Sequence, residues 1–289
     1  MTIFVRSADG RQLAVRVSGN PAGHPVVYLH GTPGSRVGPF PRGRVLYEQG
    51  VRLVSFDRPG YGGSDRQPER RVADVARDVE AIADELGLAE FAVVGRSGGG
   101  PHALACAALL PGRVTRAGVL VSLAPREAEG LDWFAGMAES NVREFTTAAA
   151  EPELLIAMLA QVADRVKADP NSLVPALGPE MPEADRRVVA DTGIRRLLMR
   201  NFAEALRDSA AGWIDDNLAF CVPWGFELSD IHVPVLLWHG ENDVFSPAAH
   251  TRWLARHIPG AELWVGPVAG HFGALEVLPE VLSWLIRQN

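Results

Sequence analysis

The stretch Phe91-Ala92-Val93-Val94-Gly95-Arg96-Ser97-Gly98-Gly99-Gly100-Pro101 constrains the fold of this 289-residue chain more than any other. Its four leading apolar residues suit a strand buried on both faces, and Ala103-Leu104-Ala105-Cys106 beyond it suits a helix of small apolar side chains. One serine stands among glycines where the two elements must join. The pattern G-x-S-x-G at a strand-to-helix turn predicts a sharp elbow that projects the Ser97 hydroxyl from the sheet edge, with Gly95 and Gly99 sparing a Cβ clash. A helix cap or an anion-binding glycine loop could also use such a serine, but no Gly-Lys-Ser/Thr run and no G-x-G-x-x-G pattern is present here.

Apolar runs and amphipathic helices alternate around this elbow. Val26–Leu29, Val51–Phe56, Val114–Leu123, Val233–Trp238 and Glu262–Val265 read as strands. Arg44–Gln49, Arg71–Leu86, the run up to Leu110, Ser246–His257 and Leu275–Arg287 read as helices. Thr2–Arg6 and Gln12–Val17, joined by Ala8-Asp9-Gly10, read as an antiparallel hairpin at a sheet edge. The alternation predicts the α/β class: a mostly parallel central sheet of about eight strands, flanked by helices through right-handed crossovers. Residues 126–230 break the pattern. They are helical by composition, interrupted by Pro170, Pro175, Pro179 and Pro182, with Leu154–Val166 and Ile194–Leu206 the clearest amphipathic pieces. The expected organisation is a core of residues 1–125 and 231–289, with 126–230 inserted over the sheet's carboxyl edge.

Bulk properties narrow the partner. A chain of this length buries enough surface for one large domain or a domain with an insertion. Cys106 and Cys221 lie in apolar surroundings outside any C-x-x-C pair and read as reduced thiols. Met1–Gly10 has no cationic segment followed by an apolar run, and no stretch of eighteen apolar residues occurs, so a cytoplasmic protein without a membrane span is expected. A net charge of −7 with scattered basic residues argues against nucleic acid. The expected partner is a small-molecule substrate, with no metal and no organic cofactor.

A serine hydroxyl is a weak nucleophile at neutral pH, so Ser97 needs a base and a group to orient that base. Two loops at the ends of later strands offer them: His239-Gly240-Glu241-Asn242-Asp243 and Val268-Ala269-Gly270-His271-Phe272. With a G-x-S-x-G elbow followed by Asp and then His, the chain resembles the α/β-hydrolase family. The resemblance covers the two outer segments and implies that the insertion is a helical cap. It implies Ser97 as nucleophile, His271 as general base and acid, and Asp243 as the carboxylate that orients the imidazole. Some members take the acid from the loop after the preceding strand, which keeps Glu127 as an alternative. The backbone N–H groups of Gly98 and Thr32 match the family's two oxyanion donors, and Pro33 has no N–H to offer. His30 and His239, each followed by glycine, read as structural turn residues. Asp57, Gly60, Gly62 and Ser64 resemble a family turn that ties a loop together.

A serine at the elbow excludes the related dehalogenase and epoxide hydrolase chemistries, which use aspartate there. The resemblance implies hydrolysis of a small to medium, largely apolar carboxylic ester, lactone or thioester through an acyl-enzyme. Gly98, where many members carry a larger residue, leads to the expectation of a roomy pocket beside the oxyanion. Among the aromatics of the insertion, Trp133, Trp213, Phe220 and Trp224 are candidate pocket residues. A proline iminopeptidase-like aminopeptidase or amidase is the first alternative. Those enzymes share a His-Gly-x-Pro-Gly loop, here with Thr32 at x, and need cap carboxylates for an ammonium, for which Glu204, Asp208, Asp215 and Asp216 are candidates. Carbon–carbon hydrolases, cofactor-free haloperoxidases and a weakly catalytic ligand sensor are further alternatives on the same fold.

Overall fold

The computed structural model describes residues 2–287. Eight strands form one sheet: β1 (Thr2–Arg6), β2 (Gln12–Gly19), β3 (His24–Leu29), β4 (Val51–Phe56), β5 (Phe91–Arg96), β6 (Val114–Leu120), β7 (Val235–Gly240) and β8 (Glu262–Gly266), in the order β1-β2-β4-β3-β5-β6-β7-β8. Pairings β1/β2 and β2/β4 are antiparallel and all others parallel. β3 lies between β4 and β5, with Val27 opposite both Val54 and Val93. The chain therefore leaves the carboxyl end of β3 and of β5 toward opposite sides, which opens the crevice where such sheets bind ligands.

Strand β5 is buried along its whole length because helices cover both faces. Its residues still alternate. Phe91 and Val93 join the cluster built with α2 (Val75–Glu85), α3 (Gly99–Leu109) and α10 (Ala248–His257), whereas Ala92 and Val94 join Leu46 of α1 (Gly43–Glu48) and Leu278, Val281 and Leu282 of α11 (Ala274–Leu285). In α2, Val75, Ala76, Val79, Ile82 and Ala83 make one apolar stripe, the spacing of a helix lying on a sheet.

Six helices separate β6 from β7: α4 (Glu139–Ala150), α5 (Pro152–Ala168), α6 (Leu173–Leu177), α7 (Glu183–Ala190), α8 (Thr192–Ala205) and α9 (Ala211–Phe220). Proline at the first position of α5 suits a helix start, where its missing N–H has no partner to lose. The α5 residues Leu155, Leu159, Ala163 and Val166 face inward with Leu198, Phe202, Trp213 and Ile214. Tyr61, Phe245 and Phe272, from loops at the carboxyl ends of the strands, complete that cluster and lay the helices over the sheet edge.

Several boundaries differ from the sequence reading by a few residues, and two of them have a plain backbone cause. Strand β6 stops at Leu120 rather than Leu123, because Val121 takes a φ of +47°, which no extended strand accommodates. Strand β7 starts after Pro234, which cannot donate to the ladder, and runs on to Gly240. Cys106 and Cys221 are both free thiols. Among the described residues no helix is long and apolar enough to cross a membrane.

Candidate active site

β5 ends at Arg96 and α3 begins at Gly99, which leaves two residues to reverse the chain. Ser97 takes a φ of +55°, in the left-handed region that non-glycine residues rarely occupy. The surroundings hold it there: the Ser97 N–H donates to Leu120 O at 2.8 Å, and the Gly100 N–H donates to Ser97 O at 2.8 Å. A Cβ on Gly95 would lie 2.1 Å from the Gly99 oxygen, and one on Gly99 would lie 2.1 Å from Leu29 O. Only glycine allows strand and helix to approach this closely.

The loop after β3 lies alongside. Among the described residues, neither the Thr32 N–H nor the Gly98 N–H enters a hydrogen bond, and both residues line the cavity that Ser97 lines. The Thr32 hydroxyl donates to Asp216 at 2.5 Å and accepts from Arg58 at 3.1 Å, and Arg58 also donates to His30 O. His30 is spent on structure: its Nδ1 faces Gly31 O at 2.8 Å, and its Nε2 accepts the Arg58 N–H at 3.1 Å. The expected room beside Gly98 is absent. A Cβ there would lie 2.2 Å from Thr32 Oγ1 and 3.2 Å from the Phe220 ring, so those side chains already fill the space.

His271 follows β8 and is buried, with Nδ1 donating to Asp243 Oδ2 at 2.8 Å. The other oxygen, Asp243 Oδ1, accepts the N–H groups of Phe245 and Ser246 at 2.8 and 3.0 Å. Burial alone would push the Asp243 carboxyl up, but the charges and hydrogen bonds of His271 and His239 outweigh it and hold the group well below the carboxylate range. His239 plays this part from 3.1 Å, with its ring fixed by Thr251 Oγ1 at 2.5 Å and Ser246 O at 2.6 Å. Its role beside Asp243 had no signal in a bare His-Gly pair. Glu127 is exposed and does not line the cavity. Asp57 accepts the Arg36 and Gly63 N–H groups at 2.6 and 2.9 Å, and Ser64 Oγ donates to its carbonyl at 2.6 Å, which closes the turn.

Ser97 and His271 share a cavity of about 330 Å³ walled by Phe145, Leu159, Phe202, Trp213, Phe220 and Phe245 among others. Trp213 and Phe220 of the four candidate aromatics reach it. Trp133 and Trp224 do not: Trp133 donates to Ala124 O at 3.0 Å and packs on Phe134 and Phe145, and Trp224 stacks on Phe226. The four candidate ammonium binders are also elsewhere. Glu204 pairs with Arg36 and Arg207, Asp208 with Arg207, Asp215 with Arg66, and Asp216 with Arg58 and Arg70. None of them lines the cavity.

The acid that does line it is Glu144. Its Oε1 accepts from Trp213 Nε1 and Asn217 Nδ2, both at 2.6 Å, and burial pushes the carboxyl up to about 7 against those two donors. Its folded value lies above the ordinary 4.5, so the folded state binds the extra proton and the contribution of this group to stability is lost as pH rises from about 4.5 to 7. Glu144→Gln keeps an oxygen for both donors and cannot ionise. The expected result is a Tm close to wild type at pH 4 and higher at pH 8, by the equivalent of on the order of 2 kcal/mol. Thermal melts of both proteins across that range check it; a difference in Tm between variant and wild type that does not grow from pH 4 to pH 8 would contradict it.

The family model described as alpha/beta hydrolase fold matches residues 24–276. The chain belongs to the α/β-hydrolase family. It is 30% identical over 223 residues to the pimeloyl-[acyl-carrier protein] methyl ester esterase of Nitrosomonas europaea, covering 77% of this chain and 79% of that protein. It is 28% identical over 295 residues to a proline iminopeptidase of Neisseria meningitidis, covering 93% of this chain and 89% of that protein. The fold is shared with the enol-lactonase from Burkholderia xenovorans LB400, with a TM-score of 0.70 and 20% identity over 99% of this chain and all of that one. In this α/β-hydrolase the helices between β6 and β7 supply most of the cavity wall.

Proposed function

We propose that this α/β-hydrolase is a serine hydrolase that cleaves a small to medium, largely apolar carboxylic ester, lactone or thioester through an acyl-enzyme on Ser97. One observation carries the proposal: His271, with Nδ1 bound to the buried Asp243 at 2.8 Å, shares a mostly apolar cavity with a serine on a strained elbow. With Nδ1 donating to Asp243, Nε2 is the basic nitrogen and takes the Ser97 proton as Oγ attacks the carbonyl carbon. The backbone N–H groups of Thr32 and Gly98 receive the oxyanion, each worth about 2.7 to 4 kcal/mol in the transition state. His271 then returns the proton to the leaving alcohol or thiol, and water repeats the sequence to free the acid. In this reading residues 1–125 and 231–289 are the catalytic core and residues 126–230 a cap that selects the substrate. The apolar walls at Phe145, Leu159 and Phe202 favour an apolar acyl group.

Glu144 favours a second reading, an aminopeptidase or amidase, because it is a carboxyl in the cavity to which, among the described residues, no cationic side chain is paired. Rates on p-nitrophenyl esters of short to medium acyl chains, against alanyl and prolyl p-nitroanilides, separate the two. The esters are expected to turn over at least tenfold faster. Preference for the anilides, lost in Glu144→Gln, would overturn the ester reading in favour of the second. Failure to turn over any substrate of either kind would favour a ligand sensor.

A further inference from the structure

We infer that Asp185, carried by α7 of the insertion, is a positioning residue that clamps the backbone of the His271 loop and thereby fixes the imidazole against Ser97. The inference rests on His271 acting as the base for Ser97. Asp185 is fully buried. Its two oxygens are used separately: Oδ2 accepts the His271 N–H at 3.0 Å, and Oδ1 accepts the Phe272 N–H at 2.7 Å. A carboxylate receiving two consecutive main-chain donors fixes the direction of that peptide as well as its position.

The loop is shaped for this carboxylate. A Cβ on Gly270 would lie 2.5 Å from Asp185 Cγ and from both of its oxygens, a distance no side chain tolerates. Gly270 has no left-handed φ, so the backbone does not demand glycine there; the space taken by Asp185 does. Among the described residues no arginine or lysine pairs with Asp185. Burial raises its carboxyl, and the charge of His271 and the two N–H donors oppose that rise. The charged groups around the loop are Asp243 against the imidazole, His239 behind Asp243, and Arg96, whose guanidinium lies 5.5 Å over the Phe272 ring. A buried carboxylate with no cation hydrogen-bonded to it is costly unless its other hydrogen bonds repay desolvation, and among the described residues the bonds this carboxylate accepts are both from the loop that carries His271.

His271 thus has two anchors of different origin. Asp243, from the loop after β7, fixes the ring, and Asp185, 86 residues before His271, fixes the main chain. Removing the second leaves the ring bonded to Asp243 but frees its Cα to drift. A displacement near 1 Å at a reacting group costs roughly 10²-fold in rate.

The test uses Asp185→Asn, Asp185→Ala, Gly270→Ala and the double variant Asp185→Ala/Gly270→Ala, with kcat and KM measured on a p-nitrophenyl ester. Asp185→Asn keeps one acceptor and the shape of the clamp, so it serves if the alanine variant fails to fold. Expected are losses in kcat of about 10-fold for Asp185→Asn and about 100-fold for Asp185→Ala, with KM within about threefold. Gly270→Ala alone should cost about as much as Asp185→Ala. Added to Asp185→Ala it should cost less than about threefold more, because the carboxylate it would strike is gone. Unchanged kcat in Asp185→Asn and Asp185→Ala, or a rise in KM alone, would overturn the clamp while leaving the Ser97 mechanism standing. Full activity in Ser97→Ala would instead overturn the mechanism on which it rests.

Discussion

Replacing Ser97 with alanine is expected to lower kcat/KM for an activated ester by about 10⁶-fold, to a residue of turnover set by the oxyanion donors alone. The argument is local. The Ser97 hydroxyl stands at the tip of an elbow whose backbone is held by Leu120 O below and by the Gly100 N–H above, and neither contact uses the side chain. Alanine therefore removes the proposed nucleophile without disturbing the φ of +55°, which the surrounding packing imposes on whatever residue sits there. The protein should fold as before, and a competitive product should bind within a few-fold of wild type, since the cavity walls are untouched. Steady-state rates with a slowly hydrolysed ester, corrected for spontaneous reaction, check the loss. Retention of more than about a hundredth of the wild-type rate would be incompatible with an acyl-enzyme on Ser97.

Asp243→Asn is expected to cost about 10⁴-fold in kcat with the fold intact. The hydrogen bonds dictate which way the amide turns. Oδ1 accepts two backbone N–H groups, from Phe245 and Ser246, and only the amide oxygen can keep those bonds. The amide nitrogen is thus forced into the place of Oδ2, facing His271 Nδ1 and His239 Nε2, where it is a donor. His271 must then accept at Nδ1 and carry its proton on Nε2, the nitrogen that should take the Ser97 proton. The tautomer is wrong although the atoms barely move. Glu127→Gln, at an exposed position outside the cavity, should leave kcat unchanged. A large loss there with none in Asp243→Asn would exchange the roles of the two acids.

Sequence and structure part company where a feature depends on distant segments. The sheet and its hairpin edge are legible because they rest on period and on local turn chemistry, and the family's fold agrees with the sheet; the helical stretch between β6 and β7 is legible from composition. The elbow is legible for the same reason, since Gly95, Ser97 and Gly99 meet one another within a single turn. Gly98 was misread because the atoms that crowd it, Thr32 Oγ1 and the Phe220 ring, come from 66 residues before it and 122 after it. Trp133 and Trp224 carry the same composition signal as Trp213 and Phe220, and only the packing of the insertion decides which pair reaches the cavity. Glu144 and Asp185 were missed on the same ground. Each is one acidic residue on an amphipathic helix, where the ordinary outcome is a solvated face, and nothing in the flanking sequence marks Glu144 as half-buried in the cavity wall or Asp185 as buried against the His271 loop. The arginine partners of Glu204, Asp215 and Asp216 lie on the core side, at Arg36, Arg66 and Arg58, so the spacing of acids within the insertion could not reveal them.

The most direct measurement of the central claim is to treat the protein with a fluorophosphonate, digest it and locate the phosphonyl group by mass spectrometry. The expected result is one adduct, on Ser97, formed at least about a thousandfold more slowly in His271→Ala and absent in Ser97→Ala. Labelling at another residue, or no labelling of the wild-type protein, would contradict the assignment of Ser97 as an activated nucleophile.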